Sequence, residues 1–192
     1  MRNVVVVILA GGEGKRIGGG KPLKIYRGEP LIDRAIRRAR SWSDRVAVAL
    51  RDRSQLGAVP ADLIPDADVA GPLGGLISGM KFAIAQKRQF VLVIPADMPF
   101  LPADLLDRLH QAISDKGCAL AESVGQLHPV CGLWQSNAVR SALSYAAAGR
   151  RSLKGLAASI GFVAVEWEAE AVDPFFNINT SEDLAEAGRL QF

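Results

Sequence analysis

A chain of 192 residues, 49% hydrophobic and 22% charged, has enough apolar material to bury the core of one α/β domain and excludes a disordered polymer. The net charge of +3, with a pI near 9.1, is a mild excess that suits an anionic small molecule as well as a nucleic acid. No stretch reaches the roughly 18 apolar residues of a membrane helix, and Cys118 and Cys131, far apart among apolar neighbours, read as buried thiols of a reducing, cytoplasmic compartment.

Met1-Arg2-Asn3 and the apolar run Val4 to Ala10 have the outline of a short leader peptide. The run ends in Gly-Gly-Glu-Gly-Lys-Arg without a small-residue cleavage site, so it reads instead as a central parallel strand covered on both faces. Gly11 to Gly20 is a loop with six glycines. Leu31 to Arg40 has a helical apolar stripe at Ile32, Ala35, Ile36 and Ala39. Arg45 to Leu50 and Leu63 to Ile64 read as strands, the second closed by Pro65-Asp66. A helix opens at Gly71-Pro72-Leu73-Gly74-Gly75 and runs to about Gln86, and Phe90 to Ile94 is a further buried strand ended by Pro95 to Pro99. A helix follows from Pro102 to about Ser114, with the proline in the first turn, where its missing N–H costs nothing. Later elements are expected near 127–134 and 162–167 as strands, and near 137–147 and 181–190 as helices.

Strands alternate with helices through the first 115 residues, which predicts right-handed βαβ units in a single Rossmann-like α/β domain with a mostly parallel sheet. No repeat, low-complexity tract or linker divides residues 1–192. Ligands of such sheets bind beyond the carboxyl ends of the strands, where the glycine loop and Asp97 both belong.

In the loop, glycines let backbone N–H groups approach phosphate oxygens, and Lys15, Arg16 and Lys21 add positive charge. A P-loop is excluded, because Leu9 and Lys15 stand where its first glycine belongs and no lysine precedes Ser or Thr. A dinucleotide fingerprint is excluded as well, since Ile17 and Leu23 occupy its third glycine position in the two possible frames.

The loop resembles the signature of nucleotidyltransferases that begins LAGG or LAAG and continues through Arg-Met-Gly to Lys. Four more segments occur in matching order: Gly71 to Leu76, Pro95 to Pro102, His128-Pro129-Val130, and Phe176 to Leu184. Together they look like the molybdenum cofactor guanylyltransferase family, over nearly the whole chain. This resemblance implies a Mg²⁺-dependent transfer of GMP from GTP to molybdenum-molybdopterin, giving the guanine dinucleotide cofactor and pyrophosphate. It implies nucleotide contacts at Leu9, Ala10, Gly11, Lys21, Asp66 and Asp97, with Asp97 also the metal ligand. It further implies that residues 1–115 hold the nucleotide and 116–192 the acceptor. Molybdenum-insertion and molybdoenzyme maturation proteins are the expected partners; no nucleic acid or membrane is. The chain departs from the pattern in a loop one residue short, in Gly20 for an acidic residue, in Ile17 for Met and in Ala49 for Asn.

Single residues carry their own arguments. A hard cation bridging phosphates takes one or two carboxylates, which suits Asp97 between two prolines; the competing reading is a helix-start aspartate. Asp66 has the acceptor pair for guanine N1–H and N2–H₂, or is a turn residue after Pro65. Gly12 extends the anion-binding loop, and Gly71 and Gly75 open a helix whose N–H groups face an anion or else pack tightly. Arg16 and Lys21 are the expected catalytic cations beside Asp97. On the acceptor side stand Asn177 and Asn179, alternating on one face of an extended segment, with Arg151 and His128; the bland alternatives are a loop-satisfying Asn pair and a structural His. The arginines at 34, 37, 38, 40, 45, 51 and 53 read as a solvated face, because only Trp42 interleaves with them. The attacking phosphate is already an anion, so no Ser, Cys or His base is required and catalysis is positioning plus charge neutralisation. Alternatives are a cytidylyltransferase for the same cofactor, a sugar-phosphate nucleotidyltransferase, or a non-catalytic nucleotide-binding assembly factor for molybdoenzymes.

Overall fold

The computed structural model describes residues 3–11, 21–51, 56, 59–169 and 172–189; for Lys21 it describes the backbone but not the side chain. In chain order the elements are β1 (Val4–Leu9), a 3₁₀ turn at Lys21–Leu23, β2 (Ile25–Tyr26), β3 (Glu29–Pro30), α1 (Leu31–Trp42), β4 (Val46–Leu50), β5 (Asp62–Pro65), α2 (Pro72–Ala85), β6 (Phe90–Pro95) and α3 (Leu105–Ala112). Then follow β7 (Cys118–Ser123), β8 (Gln126–Gln135), α4 (Val139–Ala147), α5 (Leu153–Ile160), β9 (Phe162–Trp167) and α6 (Ser181–Arg189).

Seven strands form one sheet in the order β5-β4-β1-β6-β8-β7-β9. The pairs β5–β4, β4–β1, β1–β6 and β7–β9 are parallel, while β8 runs antiparallel to both of its neighbours. The expected mostly parallel α/β sheet is therefore present, with one reversed strand in it. The β-branched run Val4 to Ile8 is nearly inaccessible because apolar layers cover both sheet faces. Val4, Val6 and Ile8 pack with α1 and α3, and Val5 and Val7 pack with α2 and α5. This alternation is the period of two expected of a strand covered on both sides.

Four of these strands and helices escape the sequence reading. β7 (CALAES) is built from Ala and Leu, which favour helix, and becomes a strand because it fills the gap between β8 and β9. α5 contains Gly155, which lowers its intrinsic helix preference, but Ser152 caps it by accepting from the Gly155 N–H at 3.2 Å. The β2–β3 ribbon has only two residues per strand. The helix expected from Pro102 begins instead at Leu105, since residues 102–104 form the turn that leads into it.

Candidate active site

The parallel ladder continues one residue past its strands. Ala10 N–H donates to Ala49 O at 3.1 Å, Ala96 N–H to Leu9 O at 3.1 Å and Asp66 N–H to Leu50 O at 2.9 Å. These bonds bring the carboxyl ends of β1, β4, β5 and β6 level with one another. Above them lies a cavity of about 270 Å³ whose wall includes Leu9, Gly11, Ala49, Asp66, Gly75 and Asp97. Gly71 and Pro72 at the start of α2 and Arg51 after β4 complete its nearer side; Val130 and Asn177 close the other.

Asp66 is wedged between two glycines. A Cβ on Gly11 would stand 2.9 Å from its Oδ2, and one on Gly75 would stand 3.2 Å from Oδ1 while colliding with the Leu9 side chain. A side chain at either position would displace the Asp66 carboxyl group or, at Gly75, the Leu9 side chain from its present place. Burial raises the Asp66 pKa above the ordinary value of 3.8, and the Arg51 guanidinium opposes part of that rise. Arg51 is exposed, as expected of the solvated arginine face, and it also borders the cavity.

Asp97 follows β6, and its carbonyl accepts from the Ile178 N–H at 3.0 Å, so the C-terminal segment is tied to the residue beside it. The Asp97 Oδ1 atom is withdrawn from solvent at the cavity wall. Among the described residues no three His, Cys, Asp or Glu side chains gather into a cage for a metal. A carboxylate at the edge of a phosphate-sized space is the donor set that Mg²⁺ takes when substrate phosphates and water supply its other ligands, so these residues fit that ion.

The C-terminal residues expected to act together are placed apart. Asn177 lines the cavity with Asp97, and Asn179 does not. Asn179 is exposed, and its N–H donates to the Asp183 carboxylate at 2.7 Å. Thr180 and Asp183 exchange bonds of 2.9 and 3.0 Å, a capping box at the start of α6. Arg151 is exposed and donates to Ala146 O at 2.7 Å, closing the carboxyl end of α4 rather than reaching the cavity.

His128 is half-buried and does not line the cavity; it belongs to a hydrogen-bonded node. Its Nε2 lies 2.8 Å from Ser123 Oγ, and Ser123 donates to Asp173 Oδ1, also at 2.8 Å. Serine has a single proton, already given to Asp173, so His128 Nε2 is the donor to Ser123. The imidazole stacks on Phe175 at 4.7 Å, and Asp173 also accepts from the Phe175 N–H at 2.9 Å. Burial lowers the His128 pKa, against the upward pull of Asp173 and Glu122. The node fixes the turn at residues 173–176, from which Asn177 and Ile178 reach the site. Ser123 and Asp173 were not anticipated; an Asp-Pro pair ahead of the Phe-Asn-Ile-Asn segment was their only trace in the sequence.

Ala10 follows Leu9 at the strand end and is buried, bonded to β4 through its N–H. Gly12 and Arg16 lie outside the described residues, as does the side chain of Lys21.

A parallel sheet that gathers a glycine-flanked carboxyl group and a second, metal-competent carboxylate beyond its strand ends is the architecture of a mononucleotide-transferring enzyme. The model of the MobA-like NTP transferase domain matches residues 6–162. The molybdenum cofactor guanylyltransferase of Rhodopseudomonas palustris (strain BisB5) is 39% identical, covering 96% of this chain and 92% of its own. That of Nitrobacter hamburgensis is 38% identical over the same share of each. The crystal structure of molybdopterin-guanine dinucleotide biosynthesis protein A from Archaeoglobus fulgidus superposes with a TM-score of 0.78 at 22% identity, covering 95% of this chain and 96% of that one. The chain belongs to the MobA-like NTP transferase family and is a nucleotidyltransferase.

Proposed function

We propose that this protein transfers GMP from GTP to the terminal phosphate of molybdenum-molybdopterin, releasing pyrophosphate. An acceptor phosphate oxygen forms a bond to the α-phosphorus as the bond from that phosphorus to the α–β bridging oxygen breaks, and the bridging oxygen leaves with pyrophosphate. The observation that carries the reading is the Asp66 carboxyl group, held between Gly11 and Gly75 in the cavity that also contains Asp97. There it has two acceptor oxygens for the N1–H and N2–H₂ donors of guanine, a pair that cytosine lacks. Leu9 and Gly11 would lie along the base and ribose with Ala10 supporting them from the buried strand end, and Gly71 and Gly75 at the start of α2 would face the nucleotide.

Asp97 would hold Mg²⁺, which when bound neutralises charge on the reacting phosphates. Arg16, Lys21 and Gly12 would attend the triphosphate from the glycine loop. Asn177 sits where nucleotide and acceptor meet. His128, through Ser123 and Asp173, orients the segment that carries Asn177, and Asn179 and Arg151 support the acceptor half from outside the cavity. Residues 1–115 thus bind the nucleotide and 116–192 complete the acceptor side. Among the described residues no helix is long and apolar enough to cross a membrane, and the two buried thiols suit the cytoplasm.

The decisive experiment supplies each of the four NTPs with Mg²⁺ and molybdenum-loaded molybdopterin, and reads the dinucleotide by mass and pyrophosphate by release. Guanine dinucleotide from GTP alone is expected. A cytosine product would replace the base assignment, and no pyrophosphate from any NTP would leave a binding role.

A further inference from the structure

A second cavity, of about 250 Å³, lies on the other side of the segment that carries Asp97. Side chains alternate along this segment: Pro95 and Asp97 border the nucleotide cavity, whereas Ile94, Ala96 and Met98 form the apolar floor of the second one. Its rim is cationic, with Arg34, Arg37 and Arg38 of α1 all bordering it.

The three guanidiniums are not equally compensated. Arg37 is paired with Glu29. Arg34 spends its Nε–H on Pro99 O at 3.1 Å and lies 5.3 Å from the centroid of the Tyr26 ring. Arg38 lies 5.9 Å from the centroid of the Trp42 ring. Among the described residues no carboxylate pairs with Arg34 or Arg38, although they stand one helical turn apart on the same face of α1. Burial and the charges of Arg34 and Arg37 all make the Arg38 cation harder to hold. An anion between them would remove that repulsion and engage the unused guanidinium donors, whose planar fork matches tetrahedral oxyanions.

We propose that Arg34 and Arg38, above the apolar floor of Ile94, Ala96 and Met98, form a second anion site that takes a small oxyanion of the phosphate class, free or as a compact phosphate ester. The site is independent of which nucleotide the neighbouring cavity accepts.

The test uses the full chain with ¹³C-methyl methionine. Met98 borders the site, and Met80, fully buried in the opposite core layer, is the internal control. Inorganic phosphate should move the Met98 methyl resonance saturably and leave Met80 in place, while sodium chloride at matched ionic strength should not. Arg38→Gln should weaken phosphate binding by about tenfold or more, the loss of a charge-assisted hydrogen-bonding partner. Arg38→Lys, which keeps the charge without the fork and guards against misfolding of the Gln variant, should fall between. An unchanged phosphate titration in folded Arg38→Gln would place the ion in the neighbouring cavity and overturn the proposal. So would a Met98 shift produced by hexaglutamate peptide but not by phosphate, which would make the cavity a docking surface for an acidic partner.

Discussion

The two halves of the sheet build the site by different means. From Val4 to Pro95 the chain lays down parallel strands whose ends stop level, and the turns after them deliver Gly11, Asp66 and Asp97 to one cavity. Beyond residue 115, β8 reverses direction, the β7–β8 register shifts between Leu120 and Ala121, and among the described residues only Val130 and Asn177 reach the cavity wall. The rest of that half works as bracing: the Ser123–His128–Asp173 node, the Ile178 bond to the Asp97 carbonyl, and the Thr180–Asp183 capping box. Chemistry is concentrated where strand ends align, and position is secured by the half that wraps around them.

The largest effect expected from this division is at Asp97. Asp97→Ala should cut turnover by about 10³-fold or more, the scale of several kcal/mol of charge stabilisation at the reacting phosphates, while the melting temperature changes little. Steady-state pyrophosphate release and thermal melting read the two quantities, and near-normal turnover in Mg²⁺ would move the metal elsewhere.

Next in size is Asp66. Asp66→Ala should reduce the preference for GTP over CTP by roughly 10²-fold, because guanine's donors would lose both partners. The native carboxylate loses its charge as pH falls through a pKa above 3.8, so selectivity should fade at a higher pH than for an ordinary aspartate. The linkage sign for stability is the reverse of a salt-bridged carboxylate: the folded state binds this proton more tightly, and stability is lost as pH rises from 3.8 through the raised value. Competition assays and melting curves across that window should move in opposite directions. GTP selectivity that survives in Asp66→Ala would assign base reading to the backbone of Leu9 to Gly11.

Much of this division was readable in the sequence, and the unread parts share a physical cause. β1, β4 and β6 declared themselves because a strand buried on both faces must be apolar without interruption. Asp66, after Pro65, and Asp97, between Pro95 and Pro99, are expected at strand ends and lie at the cavity there. β7 did not declare itself, since its Ala-Leu composition is overruled by the strands on either side. The equivalence of Asn177 and Asn179 comes from simple alternation; in the structure the Asn179 N–H is drawn to Asp183 of α6, and only the first asparagine lines the cavity while the second stays at the surface. The arginine face divided for a similar reason. Helical periodicity located Arg34, Arg37 and Arg38 on α1, but the cavity beneath them depends on the distant 94–101 segment.

Separating the two asparagines sharpens the comparison further. Asn177→Ala should slow turnover by about tenfold, the cost of one hydrogen bond to a charged group, and Asn179→Ala should stay within about twofold. Equal losses would restore the paired acceptor role. The smallest effect is expected at Thr180, where removing the cap should cost about 1 kcal/mol and lower the melting temperature by about 2–4 °C with turnover per folded molecule unchanged. A large loss of turnover there would make α6 part of the site rather than its brace.

The reversed strand β8 also bears on how the molecule is made. It occupies the place beside β6, yet it is synthesised after α3 and β7. Once β6 has emerged from the ribosome, and until β8 follows it, its own apolar run from Phe90 to Ile94 presents an unpaired hydrogen-bonding margin. Such a margin invites pairing with other nascent chains. Vectorial synthesis therefore exposes this enzyme to aggregation during a defined interval, which closes once Gly132 to Gln135 emerge and dock against Phe90 to Val93.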